Sequence, residues 1–489
     1  MWQNPAMAKL LGIDVGTSGV KAVLVNESGE ILGQGSASYG ISSPKPLWSE
    51  QNPEDWWQGT QQAIEQIGEP SPDAIGLTGQ MHGSVFLDDA GEVIRPALLW
   101  NDQRTADEVA LIDEIVGPEK VRAITCNPPL TGFQAPKIVW LKRHEPENFA
   151  RVRQVLLPKD YIRYRLCGAF ATDVSDASGT GLFDVPNRTW SKELIEALGL
   201  QTEWFPPAHE SDEISAMTDG SGYFKQGVPV ASGGGDQAAG AVGTGAVEPG
   251  IVSVSLGTSG VVFSAVPAPD ADPGGAAHVF CHTNRAWHAM GVMLSCGGAL
   301  AWFRDTFHPN ASFDELGEMA QAAPLGSDGL TFLPYLTGER CPHNDPMARG
   351  SFSGLTLRHG PNEIARSVFE GVSFGILDSM KLLENLGASA DRVRVSGGGA
   401  KGKFWVQMIA DLFGKPCATL QIDEGPAYGA AILGGVGTGL WPDVQTACRA
   451  AVREKAEVKP SGTEYSKPYS RYADLYPALR SWNNKTSKG

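Results

Sequence analysis

Two aspartates stand where an alcohol and a polyphosphate could be brought together. Asp14 closes the apolar run Leu10–Ile13 and leads into Gly16-Thr17-Ser18-Gly19. A tight turn flanked by glycines lets backbone N–H groups come close to an anion. A carboxylate at the mouth of such a cradle repels phosphate unless a cation lies between them, which makes Mg²⁺ its natural partner. The same position also suits an Asx-turn that merely caps a hairpin. Asp236 follows Gly233-Gly234-Gly235 at the end of the apolar stretch Val228–Ser232. Ligands bind at strand ends in α/β sheets, and a carboxylate there can take a proton from a substrate hydroxyl. Asp236 equally suits the N-cap of a following helix, and the two roles are compatible.

The pentapeptide Gly16-Thr17-Ser18-Gly19-Val20 recurs letter for letter as Gly257-Thr258-Ser259-Gly260-Val261, 241 residues later in a chain of 489. Each copy lies between apolar, β-branched segments and predicts a β-hairpin. One such tip is turn chemistry; two, at half-chain spacing, point to duplication, and two facing tips would grip a polyphosphate from both sides. A third glycine turn, Gly397 to Gly402, joins the strand Val393–Ser396 to a helix over Phe404–Leu412 that Gly414 closes. It satisfies G-x-G-x-x-G with Asp423 downstream, the dinucleotide fingerprint in outline. With 59 glycines in the chain that pattern arises readily by chance, and a dehydrogenase leaves the paired hairpins unexplained. A nucleotide edge packed on this turn accounts for both. No Walker A sequence occurs. His278, Cys281, His282 and His288 lack fixed ligand spacing and read as two strands joined by a turn, not as a zinc site.

The elements that must position these residues alternate in type. Ala74–Thr78 and Val85–Leu87 read as strands either side of GQMHG. Asn362 to Leu386 carries Ile364, Val368, Val372, Ile376 and Leu383 at helical spacing and stops at Gly387. Residues 454–463 read as polar and irregular, and 471–482 as a closing helix. Such alternation implies α/β layers with mixed sheets. The length exceeds one ordinary core, so two domains are expected, 8–245 and 250–489, parting in the glycine-rich stretch 240–250. The formal charge of −16 argues against a nucleic-acid or anionic-membrane surface. The 7 scattered cysteines fit reduced thiols in the cytoplasm. The N-terminal segment lacks a signal-peptide core, and no apolar run approaches the roughly 18 residues that span a bilayer.

Taken in order, DVGTSGVKAVLV, GQMHGSVFLDDAGEVIRPALLWNDQRT, LLPKDYIRYRLCG, TDVSDASGT, GGGDQAAGAVGTG, SLGTSGV, FLPYLTGERCPHNDPMARG and VSGGGAKGKFW resemble the FGGY carbohydrate kinases from about Leu10 to Leu440. The resemblance implies two ribonuclease H-like domains of the actin and sugar-kinase superfamily, with a cleft between them for ATP, Mg²⁺ and a sugar. It makes Asp236 the catalytic base, with a share in the metal site, and Asp14 the magnesium-linked carboxylate. Thr17 and Ser18 fall at the phosphates, Gly257 and Thr258 on the second phosphate motif, and Gly297 beside the nucleotide. Gly399, Ala400 and Lys403 fall on the adenosine motif. Met81, His82, Trp100, Asn101, Asp102 and Gln237 fall in the sugar pocket, where Gln237 departs from the asparagine usual after GGGD. D-Xylulose is the acceptor this implies, with ribulose, L-xylulose or glycerol as alternatives, in a cytoplasmic homodimer. A non-kinase ATPase of the same superfold is the rival, and the aromatic-rich segments with Trp48, Trp56, Trp57 and Trp100 favour a sugar over it.

Overall fold

The computed structural model describes residues 7–68, 70–220, 223–422 and 424–486, so Asp423 lies outside the described residues. Leu10–Val15 and Gly19–Val25 form the first hairpin, in register from Leu10 opposite Val25 to Val15 opposite Val20, and Ile31–Ser38 extends it. Ala74–Gly79 then lies parallel to Leu10–Val15, and a parallel partner needs a crossover connection. Helix Pro53–Ile67 supplies it. The Asn52 side chain caps this helix at the Glu54 N–H, Pro53 starts it, and Trp56, Trp57, Ala63 and Ile64 are buried by it. Pro229–Ala231 and Ile214–Met217 complete the sheet, with Gly234–Gly235 also running parallel to Ala74–Gly79.

The second sheet repeats the plan. Gly250–Leu256 and Gly260–Val266 form a hairpin extended by Trp287–Met293, and Ala390–Ser396 and Cys417–Leu420 follow in parallel. Its outer edges are Ala277–Cys281 and Glu454–Val458. Both sheets therefore share three antiparallel strands, two parallel strands and an antiparallel edge, as the repeated pentapeptide implied, and the second adds Ala277–Cys281 at its other edge. Among the described residues no helix is long and apolar enough to cross a membrane.

Two expectations need correction. Residues 454–458 are a strand, not irregular chain. As an edge strand they pair on one side only, with Cys417–Leu420, and Glu454 and Glu457 meet Arg392. Edge strands carry charge for this reason, which hides their apolar alternation. Trp56 and Trp57 sit in the core under the first sheet rather than beside a sugar.

One helix joins the two halves. Gly425–Gly437 lies in the chain between the last two strands of the second sheet yet packs on Leu10–Val15, Ala74–Gly79 and helix Asp236–Thr244. The approach is backbone to backbone. A Cβ at Gly12 would lie 1.8 Å from the Ala427 carbonyl oxygen, one at Gly76 1.8 Å from that of Ala430, and one at Gly429 1.8 Å from that of Ala239. Leu10, Val23, Val242, Ala427, Ile432 and Leu433 share one apolar cluster across this seam.

Candidate active site

Register brings the two aspartates together. Thr78 lies opposite Asp14 on one side and opposite Gly234 on the other, so Asp236 starts its helix just beyond the row that holds Asp14. Both line one cleft of about 300 Å³, with Lys21, Gln237, Thr244, Ser253, Ser255, Phe263, Ser396, Gly397 and Glu424 among its other walls. Lys21 is the antiparallel partner of Asp14, so their side chains share a face, and it ion-pairs with Glu424. Neither Lys21 nor Glu424 stood out in the sequence, because strand register and the return of residues 424–437 place them there. The repeat puts Ser255 where the first hairpin has Asp14, so only one hairpin carries a carboxylate.

Burial and mutual repulsion shape the electrostatics of the pair. Burial, and then the neighbouring Asp236, push the Asp14 carboxyl up to about 7, with Lys21 partly offsetting them. Burial pushes Asp236 up to about 6 against hydrogen bonds from the backbone and carboxamide of Gln237. Oδ1 of Asp14 is buried and accepts no hydrogen bond. Two near carboxylates, one with an orphaned oxygen, fit a hard divalent ion such as Mg²⁺.

The hairpin tips are braced from behind. The Tyr39 hydroxyl donates to the Gly16 carbonyl at 2.6 Å, Gln51 Nε2 to that of Thr17 at 2.7 Å, and Trp100 Nε1 to the Thr17 hydroxyl at 2.9 Å, while Ser18 stays exposed. On the second tip the Gly297 N–H donates to the Gly257 carbonyl at 2.8 Å, and the Cys296 and Gly298 N–H groups donate to that of Thr258. A Cβ at Gly297 would lie 2.6 Å from the Gly257 carbonyl oxygen, so only glycine fits there. The third turn packs on the same hairpin: a Cβ at Gly399 would strike Leu256 and the Trp405 ring at 2.6 Å. Ala400 donates its N–H to Gly397, and Lys403 is exposed at the start of helix Lys403–Phe413.

On the other side of Asp236, Met81 packs against Gly235, whose Cβ would come within 2.8 Å of the Met81 Cγ. His82 holds a left-handed φ of 69° and stacks on Phe133, with ring centroids 4.8 Å apart. Its Nδ1 lies 2.6 Å from the Gly179 carbonyl. A carbonyl only accepts, so Nδ1 carries the proton and Nε2 keeps its lone pair. Burial lowers this imidazole to about 3 and keeps it neutral. Lys137, unremarked in the sequence, donates to the His82 carbonyl at 2.8 Å and to that of Gly132 at 2.6 Å. Oδ1 of Asn101 is buried without a partner. Asp102 is placed differently from the rest. Both its oxygens are held, by the Ser49 N–H at 2.7 Å and by Arg104, whose guanidinium lies 3.5 Å above the Trp48 ring. His278 and His282 are buried in aromatic contacts with Phe280 and Phe263.

The chain matches the FGGY family of carbohydrate kinases over both halves, its N-terminal domain across residues 9–243 and its C-terminal domain across 252–438. A xylulose kinase of Escherichia coli is 44% identical over 432 residues, 86% of this chain and 89% of the relative. The crystal structure of a "xyloylose kinase" from Brucella ovis superposes with a TM-score of 0.91 at 39% identity, covering 97% of this chain and 100% of the other. A gluconate kinase structure from Lactobacillus acidophilus reaches 0.93 at 26% identity, covering 98% and 100%. With two duplicated sheets, two braced glycine-flanked turns and a carboxylate pair in one cleft, the chain belongs to the FGGY family and is an ATP-dependent carbohydrate kinase.

Proposed function

We propose that this kinase phosphorylates the terminal hydroxyl of a ketopentose, D-xylulose foremost, in one direct in-line step. The observation that carries the mechanism is the pairing of Asp14 with Asp236 in a single cleft walled by both duplicated hairpins. The sugar hydroxyl oxygen attacks the γ-phosphorus, the bond to the β-phosphate bridging oxygen breaks, and ADP leaves. The hydroxyl proton passes to Asp236. In a loose transition state that transfer comes late, so Asp236 chiefly orients the hydroxyl. Asp14 with Asp236 would hold Mg²⁺, which would supply positive charge to the polyphosphate. Amide groups of the tips at Thr17–Ser18 and Gly257–Thr258 grip the phosphates, and the turn at Gly399–Ala400 with Lys403 borders the adenosine. Met81, His82, Trp100, Asn101 and Gln237 face the sugar. Asp102 contributes indirectly, by fixing Arg104 and the loop that carries Trp100 and Asn101.

The acceptor rests on the xylulose kinases among the relatives; the gluconate kinase likeness shows that this fold serves other sugars. Release of ADP measured over D-xylulose, D-ribulose, L-xylulose, glycerol and gluconate tests it. D-Xylulose should give the highest kcat/KM, and a higher value for any other member would overturn the assignment. Asp236→Asn should abolish transfer while nucleotide binding persists. Retention of a tenth of the wild-type turnover would refute the base.

A further inference from the structure

Behind Asp236 lies a group of charges with no access to solvent. Lys159 Nζ sits 2.6 Å from Asp160, 3.0 Å from Asp173 and 3.5 Å from Asp176, and Arg163 approaches Asp160 at 3.8 Å. All five side chains are 0% exposed. Burying ionisable groups at such density costs more than their mutual attraction returns in most settings, and burial pushes the Asp176 carboxyl well above the ordinary carboxylate range, so stability alone does not account for them. Besides a bond from Arg163 to the Ser215 hydroxyl at 2.8 Å, their hydrogen bonds out of the cluster lead to the segment that ends at Asp236.

Three arms reach that loop. Arg163 donates to the Ala231 carbonyl at 3.0 Å and to that of Ser232 at 2.6 Å. Ser211 donates its hydroxyl to Asp173 Oδ2 at 3.0 Å, and its carbonyl accepts the Gly233 N–H at 2.9 Å. Ser175 donates its hydroxyl to the same Asp173 oxygen at 2.5 Å, and its oxygen accepts the Gly235 N–H at 3.2 Å. Carbonyls at 231 and 232 and amides at 233 and 235 are thus fixed from a single ionic centre. Gly233, at φ 76°, has Leu77 so close that a Cβ would meet its carbonyl oxygen at 1.8 Å. Glycine is needed at 233 for that packing, and the run of three glycines leaves the loop without rotameric constraint of its own. A base must hold its position closely, since a misplacement of about 1 Å can cost on the order of 10²-fold in rate.

We propose that this buried cluster positions the catalytic carboxylate, and that Ser175 is a positioning residue for phosphoryl transfer, acting through the Gly235 amide on Asp236. The proposal rests on Asp236 being the base. Ser175→Ala removes one arm and leaves all five ionisable side chains in place. With D-xylulose and saturating MgATP, kcat per nucleotide-binding site should fall about tenfold, with KM for ATP and the number of binding sites unchanged. Sugar-independent ATP hydrolysis should fall much less. Ser211→Ala, which breaks a second arm at Asp173, should show the same split and serves if Ser175→Ala folds poorly. A kcat within twofold of wild type in both variants overturns the proposal, as does a loss of kcat that only tracks lost nucleotide sites. An active Asp236→Asn removes the base and the proposal with it. An inactive Asp236→Asn beside unaffected serine variants overturns the positioning role alone.

Discussion

Asp14 and Asp236 both have their carboxyls raised, and the sign of that shift fixes two pH effects. A raised carboxyl binds protons in the folded state that the unfolded chain has already released. Its contribution to stability therefore declines as pH climbs from the ordinary carboxylate range toward 6 for Asp236 and 7 for Asp14. Asp14→Asn should accordingly raise the melting temperature of the ligand-free protein at pH 8 by at least about 2 °C while abolishing the effect of Mg²⁺ on nucleotide binding; calorimetry with and without the ion reads both. Catalysis has the opposite sense, because Asp236 must be ionised to accept a proton, so kcat/KM for the sugar should fall as pH drops below about 6. His82 takes no part in that fall, being neutral throughout. With Nδ1 committed to Gly179, its Nε2 can accept one sugar hydroxyl, not bridge two oxygens. A pocket built to bond a hydroxyl discriminates strongly. His82→Ala should cut kcat/KM for D-xylulose at least about tenfold, or about 1.4 kcal/mol, with the sugar-independent ATPase rate unchanged.

The hairpins and turns show what local sequence encodes well. Glycine-flanked Thr-Ser between β-branched runs announced both hairpins, and the spacing of Ile364, Val368, Val372 and Ile376 announced the helix Pro361–Glu384. Asp14 and Asp236 were legible because each ends an apolar strand at a glycine turn. Lys21, Glu424 and Lys137 were not, because register and long-range return bring them in, and neither leaves a local period. Asp102 looked like its neighbours Trp100 and Asn101, and the Ser49 N–H and the guanidinium of Arg104, both brought in by the fold, separate it from them. The brace on the second tip gives a test at this scale. Gly297→Val must displace the Gly257 carbonyl, so nucleotide affinity should weaken at least about tenfold, or about 1.4 kcal/mol, with sugar affinity little changed; titration calorimetry separates the two. Gly76→Ala drives a methyl into the Ala430 carbonyl and should lower thermal stability by about 1–3 kcal/mol, seen as an earlier thermal inactivation.

Across the whole molecule, a net charge of −16 surrounds a cleft meant for an anionic nucleotide. Local amides and a divalent ion must overcome a repulsive field, so association with MgATP should quicken as salt rises toward physiological strength. The helix Gly425–Gly437 sets a different kind of constraint, one of time. The central strands Leu10–Val15 and Ala74–Gly79 leave the ribosome early, but the helix that covers Gly12 and Gly76 starts roughly 350 residues after the second of them. At ordinary elongation rates that is a wait of ~20–70 s. During it the strands Leu10–Val15 and Ala74–Gly79 present an apolar, side-chain-poor face with nothing on it. Nascent chains stalled after residue 245 should therefore be cut readily by protease within 10–79 and should bind chaperones. Chains extended past 451 should lose both properties together. The N-terminal half is finished by a helix from the C-terminal half, so its birth order and its folding order cannot be the same.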